Sequence, residues 1–355
     1  MGVPEPFPQQ QSSSALYRAK GRRGRKGRRP GKRRRLSWPK RIAILLLTLV
    51  LLVAGYALGL WIWADGRLQT TDAFADYSGR PTAGQGTDWL LIGSDSRSTL
   101  TAQERKDLHV GNDEGLNTDT IMILHYGSNG PYLVSIPRDS YVPIPGHGKN
   151  KINAAYALGG AKLLTQTVEE ATGLRLDHYA EVDFGGFVAV VDSLGGVRIC
   201  VPAGGLHDEK SGADFDAGCQ KMNGKQALAY ARARYSDPQG DLGRVKRQQQ
   251  LVSAIAHQAL TPSVLLLPWN LIPFLSASLD ALTVDKGTGL PALGRMGLRM
   301  KDIADGKGAT TTVPISSTGT EISGVGDVVL WNDAEAQQLF TALRDDTAIP
   351  TFGTS

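Results

Sequence analysis

An uncharged run of 22 residues, IAILLLTLVLLVAGYALGLWIW (Ile42–Trp63), stands directly behind a dense basic tail. As a helix it would measure about 33 Å, enough to cross the hydrocarbon core of a bilayer. The charge on either side of it is unequal. Arg18–Arg41 holds 14 Lys and Arg, and no acid lies between Glu5 and Asp65. From residue 64 onward the chain carries 25 basic and 33 acidic side chains. The pI of 9.1 thus averages two parts of opposite sign. Positive flanks resist translocation, so the pattern predicts a single-pass protein of the cell membrane, N-terminus cytoplasmic and residues 64–355 extracytoplasmic. Trp61 and Trp63 close the outer end of the run, where aromatic rings favour the interface. Two other readings compete. A nucleic-acid contact through the basic tail would need a reading element, and the tail has no helix-turn-helix pattern; no nucleic acid is expected as a partner. A cleaved signal peptide is signalled only weakly by Ala57-Leu58-Gly59, and the run exceeds the usual signal core of about 7–15 residues.

Cys200 and Cys219 are the two cysteines of the chain. Outside the membrane an isolated pair this close is expected to form a disulfide, since the spacing is far from that of a catalytic C-x-x-C. It would close the Gly- and Asp-rich segment Val201–Gly218, a loop that needs a staple. The staple is expected to contribute on the order of 3 kcal/mol.

The remaining sequence is organised as a basic disordered tail (1–41), the span (42–63), a linker (64–86), a large domain (87–345) and a short C-terminal tail (346–355). DWLLIG (Asp88–Gly93) reads as a strand buried on both faces, and TIMILHY (Thr120–Tyr126) and YLVSI (Tyr132–Ile136) as a hairpin across GSNG. Arg97–Asn117 is polar and reads as an inserted loop. Helical spacing covers Asn153–Thr172, Phe184–Leu194, Gly224–Ala231, Leu242–Leu260, Gly287–Ile303 and Asp333–Arg344. Further strands are expected at His178–Val182, Val197–Val201 and Thr311–Ile315, whereas Ser263–Leu282 is apolar but broken by Pro268 and Pro273. Helices interleaved with strands, one hairpin among them, predict an α/β fold: an α-β-α sandwich around a central mixed sheet.

Polar clusters flank these strands, where open α/β sheets place their ligands. They are GSDSR (Gly93–Arg97), NTDT (Asn117–Thr120), PRDS (Pro137–Ser140), YARARYSD (Tyr230–Asp237) and DLGRVKRQ (Asp241–Gln248). Singly, each is as well explained by a turn carboxylate, a cap or a surface ion pair. Together they point to phosphate chemistry. Asp95 and Asp119, at the ends of neighbouring candidate strands, offer the hard oxygens that suit Mg²⁺ sharing a phosphate. Arg138, Arg232, Arg234 and Arg244 offer planar guanidiniums that hold phosphate oxygens in pairs. Gln248 is four residues from Arg244 and shares its helix face.

The segments LLIGSDSR (Leu90–Arg97), NTDT, VSIPRDS (Val134–Ser140), KINAAYALGG (Lys151–Gly160), VDFGGFVAVVDSLGGV (Val182–Val197) and YARARYSDPQGDLGRVKRQQQ (Tyr230–Gln250), in this order, resemble the successive motifs of the LytR-CpsA-Psr family. The resemblance implies a Mg²⁺-dependent phosphotransferase that moves a glycopolymer from a polyprenyl-pyrophosphate carrier onto peptidoglycan. It implies metal binding by Asp95 and Asp119, and pyrophosphate binding by Arg138, Arg232, Arg234 and Gln248, with Arg244 a further contact. Asp95 and Arg138 are then the catalytic candidates. A polyprenyl tail also needs an apolar channel, for which Phe184, Phe187, Val188, Val191 and Val264–Leu275 are candidates, although core helices look the same. The long polar insertion between Asp95 and Asn117 departs from the family pattern. The competing functions are hydrolysis of the same pyrophosphate by water, and a non-catalytic lipid-binding or regulatory role.

Overall fold

The computed structural model describes Gly2 and residues 37–96, 100–110, 118–233 and 240–352. The chain begins with α1 (Trp38–Asp65), β1 (Gln69–Thr71), β2 (Thr87–Ser94), α2 (Ala102–Asp107), β3 (Thr118–Tyr126), β4 (Tyr132–Ile136), β5 (Tyr141–Ile144) and β6 (Gly148–Lys151). It continues through α3 (Ala154–Thr172), β7 (His178–Val182), α4 (Phe184–Ser193), β8 (Val197–Val201), β9 (Leu206–Asp208), β10 (Ala213–Phe215), β11 (Gly218–Met222), α5 (Gly224–Arg232) and α6 (Gly240–Ala259). The last third holds α7 (Pro262–Leu265), α8 (Pro268–Ala281), β12 (Leu282–Asp285), α9 (Leu290–Ala304), β13 (Ala309–Thr312), β14 (Ile315–Ile322), β15 (Gly326–Trp331) and α10 (Asp333–Arg344).

Two compact units divide the chain at Gly55. The first ends within α1, a helix of 28 residues that contains the whole apolar run and is long and apolar enough to cross a membrane. The second, from Tyr56, is built on a seven-stranded sheet in the order β1-β12-β7-β2-β3-β4-β13. Three pairings are parallel (β1 with β12, β2 with β7, β4 with β13) and three antiparallel, so the sheet is mixed.

Strand alternation assigns the two faces. Leu90 and Ile92 of β2 point with Ile121 and Ile123 of β3 into a core closed by α3 and α10, through Leu164, Val168, Leu339 and Leu343. Trp89, Met122 and Leu124 point the other way, against α9 (Met300, Ile303) and Val252 of α6. The sandwich expected from the sequence is therefore present. A third cluster gathers α4, α5 and the β8–β11 pair.

Several local details differ from the sequence reading. The segment taken as a linker supplies β1 to the sheet edge and buries Ala73. The inserted segment holds α2, capped by a reciprocal Thr101–Glu104 box, and Leu100, Leu108 and Val110 pack against Phe184 and Leu228. Pro268 breaks the apolar stretch as expected, separating α7 from α8, and then opens α8 at its first turn, where a missing N–H costs nothing. Pro273 is accommodated inside the same helix. The loop between the cysteines contains its own hairpin, β9–β10. Cys200 and Cys219 face each other across β8 and β11 and are bonded, as the sequence predicts.

Candidate active site

β2 and β3 run antiparallel and in register until Gly93 faces Thr120; the next pair is Ser94 with Thr118, so Asp119 sits in a bulge. Asp95 follows Ser94 at the open end of β2 and is half-buried. The β3–β4 register pairs Ile121 with Ile136, which brings Arg138, two residues past Ile136, level with Asp119. The two meet: Arg138 Nη1 donates to Asp119 Oδ1 at 2.7 Å. Strand register alone thus juxtaposes two of the predicted residues that lie 19 positions apart in sequence.

Arg138 also lies 3.4 Å from Asp139, which receives Lys151 Nζ at 3.2 Å from the end of β6. Burial pushes the Asp139 carboxyl up, but the charges of Arg138, Lys151 and Arg244 outweigh it and hold the group below the usual carboxylate range. Three cations therefore crowd one carboxylate, with Asp119 as the second acid of the group. Arg244 is buried in α6, and Gln248, one turn on, is buried on the same side. Arg232, in the last turn of α5, donates to the carbonyls of Leu108 at 3.0 Å and His109 at 3.3 Å and stacks over Phe184 at 5.3 Å. The inserted segment thus helps to position an arginine. Arg234 lies outside the described residues.

A cavity of about 340 Å³ opens from this cluster. Gly93, Ser94, Asp119, Glu181, Arg232 and Gln248 line its polar end. The rest is apolar, walled by Phe187, Leu251, Ile255, Phe274, Met296 and Met300 among others. Of the channel candidates, Phe184, Phe187 and Phe274 line it, whereas Val188 packs beside the inserted segment and Val191 in the α4–α5 core. Gly186 lets α4 approach α8 along this wall; a Cβ there would stand 2.6 Å from that of Ala281.

Sequence reasoning missed Glu181. It accepts from Tyr156 Oη at 2.5 Å and Tyr179 Oη at 2.6 Å at the polar end of the cavity. Burial first, then Glu181 and Asp95, push the Tyr156 phenol above its ordinary value, so it stays a donor. Lys151 and Tyr156 were legible as members of KINAAYALGG, whereas a single Glu in a short strand carries no comparable signal.

Asp95 and Asp119 are the two carboxylates that would hold a magnesium ion. Among the described residues no group of three or more His, Cys, Asp or Glu converges. Mg²⁺ takes one or two protein carboxylates and completes its shell with water and phosphate oxygens, which is what Asp95 and Asp119 beside a cationic cluster would permit.

Fold and site together define an α/β domain with a cluster of arginines, a lysine and carboxylates at the strand ends, opening into an apolar cavity. The chain belongs to the LytR-CpsA-Psr family, whose sequence profile (LytR_cpsA_psr family) matches residues 69–345. It is 45% identical over 285 residues to "Probable cell wall biosynthesis protein LcpB" of Corynebacterium glutamicum, covering 80% of this chain and 66% of that protein. It is 34% identical over 274 residues to "Cell wall biosynthesis protein LcpA" of the same organism, covering 68% of this chain and 51% of that one. The chain thus spans between half and two thirds of the length of these relatives. The fold is shared with the "LytR-Csp2A-Psr enzyme from Actinomyces oris" at a TM-score of 0.60 and 21% identity, over 78% of this chain and 96% of that one.

Proposed function

We propose that this protein is a membrane-anchored, extracytoplasmic phosphotransferase that moves a glycopolymer from a polyprenyl-pyrophosphate carrier onto peptidoglycan. One observation carries the reading: a cavity whose polar end bears Arg232 with Asp119 and Glu181, beside the Arg138–Asp119 pair, continues into a larger apolar remainder. That is the shape of a lipid diphosphate. The family membership and the cell-wall names of the two corynebacterial relatives support the substrate class.

Phosphoryl transfer is mostly positioning and charge stabilisation. Arg138 and Arg232, with Arg244, Gln248 and Arg234, would hold the diphosphate oxygens, and the apolar walls the isoprenoid chain. Asp95 and Asp119 would hold Mg²⁺, which when bound neutralises diphosphate charge. A sugar hydroxyl of the acceptor attacks the glycan-side phosphorus and an O–P bond forms. The bond from that phosphorus to the bridging oxygen breaks, and polyprenyl phosphate leaves with the electron pair. The hydroxyl proton passes to a carboxylate of the site, for which Asp95 is the residue placed at the open strand end. The basic tail before α1 supports the orientation, with residues beyond Asp65 outside.

The test is incubation of the full chain in nanodiscs with a polyprenyl-pyrophosphate glycan and peptidoglycan oligomers, with products read by mass spectrometry. Glycan joined to the oligomer through one phosphate is the expected product. Free glycan phosphate alone, whatever the acceptor concentration, would replace transfer by hydrolysis. No change in either substrate would remove the enzymatic reading.

A further inference from the structure

The wall of the cavity continues onto the protein surface as an uncharged apolar face. Phe274 and Ser278 of α8 line the cavity. On α7, the connection and the first turns of α8, Leu265, Leu266, Trp269 and Ile272 are exposed, Leu266 at 76% and Trp269 at 70%. No Asp, Glu, Lys or Arg occurs between Arg247 and Asp280. A large Trp and three aliphatic side chains without a charge among them are costly to leave in water, and such patches mark interaction sites.

The chain itself indicates what covers this face. Asp280, at the end of α8, receives the Arg67 guanidinium through three bonds of 3.2, 2.8 and 2.7 Å, and its carbonyl receives Gln69 Nε2 at 3.3 Å. Arg67 is two residues past Asp65, the last residue of the apolar helix α1, and stacks on Trp63 at 5.2 Å. β1, which starts at Gln69, then pairs with β12, the strand that follows α8 directly. α8 is therefore fastened to the segment where the chain leaves the helix that is long and apolar enough to span a bilayer. Leu266 and Trp269 stand at the opposite end of α8, about 17 Å from Asp280 at 1.5 Å per residue, and an exposed Trp and Leu within one helix length of such an exit point match the composition of elements that lie in the membrane interface.

We propose that α7 and the first turns of α8 dock on the phospholipid bilayer and set Leu266 and Trp269 among the acyl chains. The inference rests on the reading of α1 as a membrane span and of the cavity as the isoprenoid site. It adds that the isoprenoid chain would pass from bilayer to cavity along α8 without crossing water, which matters because each exposed methylene costs about 0.8 kcal/mol.

The experiment uses the full chain in phospholipid nanodiscs. Its native cysteines are bonded to each other, so spin labels can be placed on L266C, W269C and, as a control on the exposed β14–β15 hairpin, E321C. The expected result is high oxygen and low aqueous nickel-chelate accessibility at 266 and 269, with the reverse at 321. Equal nickel accessibility at all three sites overturns the proposal and leaves the face to a protein partner. In a second arm, the Leu266→Asp/Trp269→Asp variant should slow transfer from a carrier embedded in the nanodisc by at least about tenfold. It should leave transfer from a short-chain, water-soluble carrier unchanged, and an equal loss with both carriers counts against docking. Failure of the cavity reading is distinguishable, because Gly297→Phe, which obstructs the cavity, would then leave long-chain transfer intact while the labels still report lipid depth.

Discussion

Arg138 Nη1 lies 2.7 Å from Asp119 Oδ1, so one ion pair joins a candidate phosphate ligand to a candidate metal ligand. The two residues cannot then act independently. Arg138→Lys keeps the charge but loses the planar fork, and should lower glycan transfer at least about tenfold, roughly 1.4 kcal/mol of transition-state stabilisation. Asp119→Asn should raise the Mg²⁺ concentration needed for half-maximal rate. The double variant should lose less than the product of the single losses. Wild-type rates for both single variants at ordinary Mg²⁺ would make this cluster structural.

Gly297 lines the cavity from α9, and a Cβ built on it meets nothing within 4 Å. Gly297→Leu should therefore fold normally, and could gain roughly 0.5–1 kcal/mol from helix propensity. It should nevertheless reduce transfer from long-chain carriers several-fold more than from short-chain ones. Rates measured across a series of chain lengths decide this; a uniform effect would place the isoprenoid elsewhere.

The disulfide clamps β8 to β11 at directly opposed positions, and neither cysteine lines the cavity. Cys200→Ser/Cys219→Ser should lose on the order of 3 kcal/mol of stability, the entropy of a loop of about 20 residues, and lower the melting temperature. Transfer at 25 °C should be retained. Loss of activity without a change in melting temperature would be inconsistent with a purely structural bond.

His125 is buried between Asp88 (2.9 Å) and Asp346 (3.4 Å) at the end of the sheet remote from Asp119. Burial alone would lower its pKa, but the two carboxylates outweigh it and the net direction is up. A group with a raised folded-state pKa stabilises fully below its ordinary value and loses that stabilisation as pH climbs through the raised one. Stability should accordingly decline as pH rises above about 6.5, the ordinary histidine value. Asp346→Asn removes one carboxylate and should move the decline to lower pH. Thermal melts between pH 5 and 9 test this, and a melting curve that shifts identically with pH in both proteins would contradict it.

The framework of the candidate site is legible because its residues sit in strand-end motifs. The pairings of β2, β3 and β4 are long, apolar and local, and they alone bring Asp95, Asp119 and Arg138 to one sheet edge. What escaped was short or polar. β1 (QTT), β9 (LHD) and β10 (ADF) have too few residues to show alternation. β14 (ISSTGTEI) forms a hairpin whose register is shifted twice. Glu181 became recognisable only when Tyr156, from another element, was placed on it. The Arg67–Asp280 contact joins residues 213 positions apart, and no local pattern announces it.

The pairing of β1 with β12 has a consequence for biosynthesis. Gln69 emerges early from the ribosome, but its partner Thr283 follows more than two hundred residues later. Contacts this distant along the chain form late, because the intervening loop must first be closed. If the chain is exported in order, its first strand waits with an open edge until nearly the whole domain has been delivered. A polypeptide halted before Leu282 would keep that edge permanently unsatisfied, an invitation to mispairing and a ready mark for quality-control proteases.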